Sequence, residues 1–328
     1  METKTSSVLE NIIHPLTLEE IKKNYWPNNP LVSRGDLERF KDLPGFEKVV
    51  TLEKALSIYK NPVMVVGDAV IEASDGITDR FMVSPEEALD WYEKGAAIEL
   101  DFTDLFIPQI RRWAESLKLE LNLPSGTGAK AIVYAAKNGG GFKAHFDAYT
   151  NFIFQIKGNK TWKLAENHNV KNPVQHYDLV EAPYYPDELQ SYWDGEPPAE
   201  DLPNANVEIL SPGTMLYLPR GVWHSTQSDE ETLALNITLG QPTWMDLILS
   251  TFREKLVSDN RFRTLAVNHN TLDSESKQDL RKDVQDLINE VQKIVGDITP
   301  EDVLKNEGND FDPYQTTQLV FRQLMANF

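Results

Sequence analysis

Between about residues 130 and 240 the chain breaks into short β-prone runs, AKAIVYAAK, TNFIFQIKG, KTWKLA, VEIL, TMLYLP and TLALNITL, punctuated by Gly, Pro and Asn. Strands this short and this closely spaced leave no room for the crossover helices of a parallel sheet. The expected core is therefore mainly β, a barrel or a double-sheet jelly roll, with helices at its flanks.

Before the core, from about residue 17 to 120, helix-like pieces such as SPEEALDWYEKG and DLFIPQIRRWAESLKLELN alternate with short apolar strands, VVTL and NPVMVV among them. Ser84 ahead of PEEA reads as an N-cap with proline at the first helical position. From Thr243 onward the pattern turns helical. WMDLILSTFREKL opens this zone, and later Leu280, Val284, Leu287, Ile288, Val291, Ile294 and Val295 share one helical face. That stripe most simply packs as core; its sharper alternative is dimerisation through the C-terminal helices. The expected division is a flank at 1–120, the β core at 121–242 and a helical region at 243–328. A segment between Glu166 and Asn206, with YYPDELQSYWDGEPPAEDLP at its centre, interrupts the core and reads as a lid or binding loop, or as a decorative insertion.

Charge and cysteine count narrow the function. The 51 acidic residues against 32 basic ones give −19, which repels nucleic-acid backbones and favours basic partners such as cationic peptides. With no cysteine there is no disulfide, no thiolate ligand and no thiol nucleophile, so any metal must be held by His and carboxylate. A cytoplasmic setting fits that composition. The opening METKTSSVLENIIHPLTLEE lacks a basic segment followed by an apolar run, and no apolar run is long enough to cross a bilayer, so neither a leader nor a membrane anchor is expected.

The chemistry concentrates around HFDAYTNFIFQIKGNKTWKL. If extended, His145 and Asp147 share a face and can bind one ion together. Gly158-Asn159 reads as a two-residue hairpin turn, with Lys157 opposite Lys160. Alternation then puts Asn151, Ile153, Gln155 and Lys157 on one face with Lys160, Trp162 and Leu164, and Phe152, Phe154 and Ile156 on the other. A lysine facing the inside of a barrel needs an anion, the hairpin supplies none, and a ligand carboxylate would serve. The third metal ligand expected is His224, which follows the strand TMLYLP and a Pro-Arg-Gly turn. Two histidines and one carboxylate form a facial triad whose open positions suit non-haem Fe(II) and an oxidant. His14, His168, His176 and His269 stand in polar or terminal contexts and read as surface residues.

These motifs, with LSPGTMLYLPRGVWHST and LALNITLG, resemble the JmjC-type cupin oxygenases that depend on Fe(II) and 2-oxoglutarate, in particular the asparaginyl-hydroxylase branch of factor inhibiting HIF and the ribosomal oxygenases. NYWPNNPLVSRG and PTWMDLILSTFREKL resemble the ribosomal-oxygenase type, extending the likeness over most of residues 17–265. The resemblance implies a double-stranded β-helix, iron held by His145, Asp147 and His224, and Lys160 on the distal carboxylate of 2-oxoglutarate. Asn151 and Asn236 match asparagines that line the cosubstrate pocket in the asparaginyl-hydroxylase branch. Where that branch has a cosubstrate-binding threonine, this chain has Phe142. The implied reaction consumes 2-oxoglutarate and O2, releases succinate and CO2, and hydroxylates a side-chain carbon of a protein or peptide. A small metabolite, an N-methyl group or a non-catalytic cupin-like binding role are its alternatives. Phe142, Tyr149 and Trp223 are expected to frame the pocket mouth, with Tyr184, Tyr185 and Trp193 over a bound peptide.

Overall fold

The computed structural model of the protein describes residues 7–137, 140–180, 187–267 and 269–308. In chain order its strands are β1 (Leu31–Ser33), β2 (Val63–Val66), β3 (Arg80–Val83), β4 (Ala97–Leu100), β5 (Gly128–Ala136), β6 (His145–Phe146), β7 (Thr150–Lys157), β8 (Lys160–Ala165), β9 (Tyr177–Asp178), β10 (Asn206–Leu210), β11 (Met215–Leu218), β12 (Trp223–Gln227) and β13 (Thr232–Gly240). Two antiparallel sheets collect them, one of eight strands in the order β1-β11-β7-β13-β5-β4-β2-β3 and one of five in the order β10-β8-β12-β6-β9. Successive strands β5 to β8, and again β10 to β13, pass back and forth between the sheets. That alternation is a jelly roll, the expected double-stranded β-helix.

Burial explains the strand sequences. All of β13 and all of β7 but its last residue are buried, so both read as nearly unbroken apolar runs, as a strand covered on both faces must. On the outer face Phe154 packs its ring against Phe40 and Trp113, at 5.5 and 5.6 Å. On the inner face Ile153 joins Trp162, Leu164, Leu216 and Ala234 in a cluster between the sheets.

The N-terminal flank covers the large sheet and also extends it with β2, β3 and β4. The helix Pro108–Glu120 buries Ile110, Trp113, Ala114 and Leu117, the i, i+3, i+4, i+7 stripe of an amphipathic helix. Burying each of its large side chains contributes roughly 1.5–3 kcal/mol. Asp104 pins the flank to β5. Its buried carboxylate accepts from the Ala131 amide at 2.8 Å and from Arg111 at 2.7 Å. Ser84 caps the helix Pro85–Glu93 in a reciprocal box with Glu87.

Two local expectations are overturned. VVTL is not a strand: Val49 ends a 3-10 turn with its side chain buried, and Thr51 caps the helix Leu52–Ile58 by accepting from the Lys54 amide. Cap chemistry at Thr51 prevails there over β propensity. Nor do β7 and β8 form a hairpin. Each lies in a different sheet, and Gly158-Asn159 is the corner where the chain crosses. Lys157 turns outward to pair with Glu231 at 2.6 Å and does not face Lys160. Gly158 sits at φ +66°, where a Cβ would lie 2.0 Å from the Glu231 carbonyl oxygen, so only glycine fits.

The segment inserted between Glu166 and Asn206 carries a small core of its own. Val170, Tyr177, Leu189 and Leu202 are buried with Phe146 and Trp223 of the five-stranded sheet, and Trp193 packs against them. Trp193 thus anchors this segment; Tyr184 and Tyr185, expected above a bound peptide, lie outside the described residues.

Residues 124–128 and 241–308 belong to a second compact unit. Its helices are Trp244–Ser258, started by a Thr243–Asp246 capping box, Ser274–Gly296 and Pro300–Lys305. The Ser274–Gly296 helix buries none of its residues, and Val284, Ile288 and Val295 remain 44–53% exposed. Of the stripe expected to pack as core, Leu280, Leu287, Val291 and Ile294 are half-buried and none is fully buried. None of the described helices is long and apolar enough to cross a membrane.

Candidate metal centre

His145 and His224 are directly paired across β6 and β12 of the five-stranded sheet. A register pair brings side chains on one face close together, and the two imidazoles are 4.0 Å apart between ring centres. Close approach of the chain leading to β6 requires Gly141, where a Cβ would fall 1.7 Å from the Thr226 carbonyl oxygen. Asp147, just past β6, points the same way as His145. One ligand atom from each of His145, Asp147 and His224 falls within 4.8 Å of the others, so the three expected ligands converge and could hold one metal ion.

The surroundings preset each donor. Nδ1 of His145 lies 2.6 Å from the Lys143 carbonyl oxygen and Nδ1 of His224 lies 2.9 Å from that of Val222. A carbonyl only accepts, so both rings carry their proton on Nδ1 and present Nε2 lone pairs to the centre. Burial, reinforced by the neighbouring His145, pushes the His224 imidazolium down to about 3, so the ring stays neutral, as a ligand must. Burial alone would push the Asp147 carboxyl up. The hydrogen bond from His176 leads the interactions that outweigh it and hold Asp147 ionised, well below the usual carboxylate range.

Two residues fix the Asp147 carboxylate. Asn151 donates to Oδ2 at 2.7 Å, and His176 Nδ1 lies 2.9 Å from Oδ1. Oδ2 also lies 3.9 Å from His224 Nε2, which makes it the oxygen turned to the metal position. Asn151 is oriented in turn, its Oδ1 accepting from Thr238 at 2.8 Å and from Asn236 at 3.1 Å. The two asparagines expected to line a cosubstrate pocket are therefore brought together behind the carboxylate. His176, expected on the surface, belongs to the site. No short-range pattern marks it, because it reaches Asp147 from 29 residues away, through the inserted segment.

Lys160 faces the interior from β8, with its ammonium 5.4 Å from the Phe142 ring centre and Phe142 edge-on to His145. No carboxylate lies within ion-pair distance of it among the described residues. Burial pushes Lys160 down to about 8, partly opposed by Glu99. Trp162 lies parallel to His224 at 5.8 Å, and its buried indole N–H has no partner among the described residues, nor does the buried Asn236 Oδ1. A metal-ligand triad beside a lone cation and unmatched polar atoms fits a divalent ion plus an anionic, oxygen-rich ligand. Phe142 stands at the mouth, 40% exposed, whereas Trp223, expected there, is buried behind the site with Phe146.

Fold and site together define a cupin-type jelly roll with a two-histidine, one-carboxylate metal centre. Residues 106–247 match the JmjC domain. The chain is 67% identical over its whole length to the uncharacterized protein YxbC of Bacillus subtilis (strain 168), covering 99% of that protein. It is 25% identical over 247 residues to the bifunctional lysine-specific demethylase and histidyl-hydroxylase NO66 of Aedes aegypti, covering 72% of this chain and 35% of that one. Among solved structures, that of E. coli ycfD aligns at 18% identity with a TM-score of 0.49, covering 88% of this chain and 69% of the other. The chain thus shares nearly the full length of YxbC but spans about a third of NO66. It carries a JmjC domain, and its two-histidine, one-carboxylate centre is of the kind that works with Fe(II), 2-oxoglutarate and dioxygen.

Proposed function

We propose that this protein hydroxylates a side-chain carbon of a protein or peptide in the cytoplasm, consuming 2-oxoglutarate and O2 and releasing succinate and CO2. The observation that carries the 2-oxoglutarate assignment is Lys160, a half-buried cation without a carboxylate partner among the described residues, on the same interior as the triad. A dicarboxylic keto acid matches that layout, with one end for the metal and the other for the ammonium. A protein substrate is supported by NO66, a relative named for acting on histidyl and lysyl residues. The −19 charge favours a basic segment.

When bound, Fe(II) supplies the redox chemistry that couples 2-oxoglutarate decarboxylation to C–H hydroxylation. The chain's own work is positioning. His145 and His224 offer Nε2, Asp147 offers Oδ2, Asn151 and His176 restrict that carboxylate, and Lys160 takes the distal carboxylate of the cosubstrate. Phe142 covers Lys160 where a polar contact is found in the asparaginyl-hydroxylase branch, keeping water from the ammonium and strengthening its pairing with an anion.

The test is an anaerobic titration of the apo-protein with Fe(II) and then 2-oxoglutarate. The expected result is a visible charge-transfer band that is lost in Asp147→Ala and needs far more 2-oxoglutarate in Lys160→Ala. No band with iron bound overturns the oxygenase reading in favour of a cupin-like binding role. Mass spectrometry of basic peptides turned over by the loaded enzyme then separates gain of one oxygen from loss of a methylene; only the first agrees with hydroxylation.

A further inference from the structure

A second charged group shares the interior with Lys160. In β4 the neighbours Ile98 and Leu100 are fully buried on the outer face, so Glu99 between them points inward. Its register partners are Met64 on β2 and Tyr134 on β5. Tyr134 packs edge-on against Phe142 at 5.7 Å, and Phe142 in turn lies against the Lys160 ammonium. Glu99, Tyr134, Phe142 and Lys160 thus form one continuous wall. Among the described residues no hydrogen bond or ion pair holds the Glu99 carboxyl, and it stands beyond ion-pair distance from Lys160. A carboxyl and an ammonium face the same space, each without a direct ionic partner.

The other charges around Glu99 are committed elsewhere. Lys130 pairs with Asp101 at 2.9 Å, and Arg80 pairs with Asp79 at 3.0 Å. Burial, and then the like charge of Asp101, pushes the Glu99 carboxyl up to about 7, with Lys130, Arg80 and Lys160 opposing. Near neutral pH it is divided between its two forms. A ligand carboxylate brought to Lys160 adds a negative charge opposite Glu99 and removes the advantage of its ionised form.

We propose that Glu99 is a proton-linked positioning residue for the cosubstrate: when the distal carboxylate of 2-oxoglutarate binds at Lys160, Glu99 takes one proton from solvent and faces the ligand as a neutral acid. This rests on the 2-oxoglutarate assignment above. The linkage makes cosubstrate affinity fall as pH rises past neutrality, because ionised Glu99 then repels the incoming dianion. The metal ligands His145, Asp147 and His224 share the interior and are occupied by the ion during the measurement.

The experiment is calorimetric titration of 2-oxoglutarate into the Mn(II)-loaded protein at about pH 7, in two buffers of different ionisation enthalpy. The expected result is uptake of roughly half a proton per ligand, with affinity falling several-fold by about pH 8.5. Lys160 also titrates in that range, so the series is repeated with Lys160→Arg, which stays charged throughout. In that background uptake should persist, be abolished by Glu99→Gln and survive in Glu99→Asp. Glu99→Gln should also bind severalfold more tightly than its background at the higher pH. Uptake that persists in Glu99→Gln, or a parent with no uptake, overturns the proposal; if Glu99→Gln does not fold, loss of uptake in folded Glu99→Asp also counts against it. A parent that binds no 2-oxoglutarate, or binds it equally well as Lys160→Ala, overturns the functional reading itself.

Discussion

Asn151 donates a 2.7 Å hydrogen bond to Asp147 Oδ2, the carboxylate oxygen that faces His224. The amide can point only one way, because its own oxygen is occupied by Thr238 and Asn236. The carboxylate of a candidate metal ligand is thus oriented by a side chain at the start of β7, one of the most buried strands of the jelly roll.

Replacing Asn151 with Ala should weaken metal binding by about 10–100-fold. Since each of the three hydrogen bonds lost, with Asp147, Thr238 and Asn236, contributes only about 1 kcal/mol to folding, the apo-protein should melt lower but still cooperatively. Cobalt(II) titration followed by visible absorbance measures the first effect and circular dichroism the second. Unchanged affinity would mean that Asp147 is positioned without this contact.

His176→Ala should have a smaller effect, less than about tenfold on metal affinity, because the half-exposed His176 can be replaced by water at Oδ1. His176→Asn, which keeps a donor, should restore much of it. A loss larger than that of Asn151→Ala would reverse this ranking and make His176 the principal orienting residue.

Stability of the apo-protein should carry a signature of His224. Its ordinary value of 6.5 falls to about 3 on folding, so the unfolded chain binds more protons between those limits. The contribution is fully present above 6.5 and is lost as pH falls towards 3, by at most about 1.4 kcal/mol per pH unit. Glu99 acts in the opposite sense, its carboxyl rising from 4.5 to about 7 on folding, which favours the folded state at the acid end of that span. Urea unfolding of the parent and of His224→Gln at about pH 7.5 and about pH 5.5 separates the two. The parent should lose more stability than the variant; equal losses would contradict the neutral buried imidazole.

The exposed stripe on the Ser274–Gly296 helix predicts self-association. We propose that a second copy covers Val284 and Ile288, both 44% exposed. Ile288→Glu should shift a dimer to a monomer in sedimentation velocity without changing the melting curve. A parent that sediments as a monomer would refute the idea.

Much of this site is written in local alternation. The period of two that set Lys160, Trp162 and Leu164 on one face holds within β8, and His224 follows its strand and turn as expected. What escaped was non-local. Whether β7 and β8 pair or part at Gly158-Asn159 depends on β11 and β13, which claim both edges of β7. His176 arrives from the inserted segment. Glu99 did leave a trace, a lone acid between Ile98 and Leu100 in a short apolar strand, but its neighbour Lys160 lies in the other sheet.

The corner at Gly158-Asn159 also limits which length changes the chain can tolerate. Adding or removing one residue between Lys157 and Lys160 would invert the phase of β8, sending Lys160, Trp162 and Leu164 to the outside and bringing Thr161 and Lys163 in. The connection is therefore closed to single-residue insertions and deletions even though Asn159 is exposed to solvent. Loop-length variation that most surface turns accept would here exchange the inward ammonium of Lys160 for a threonine hydroxyl.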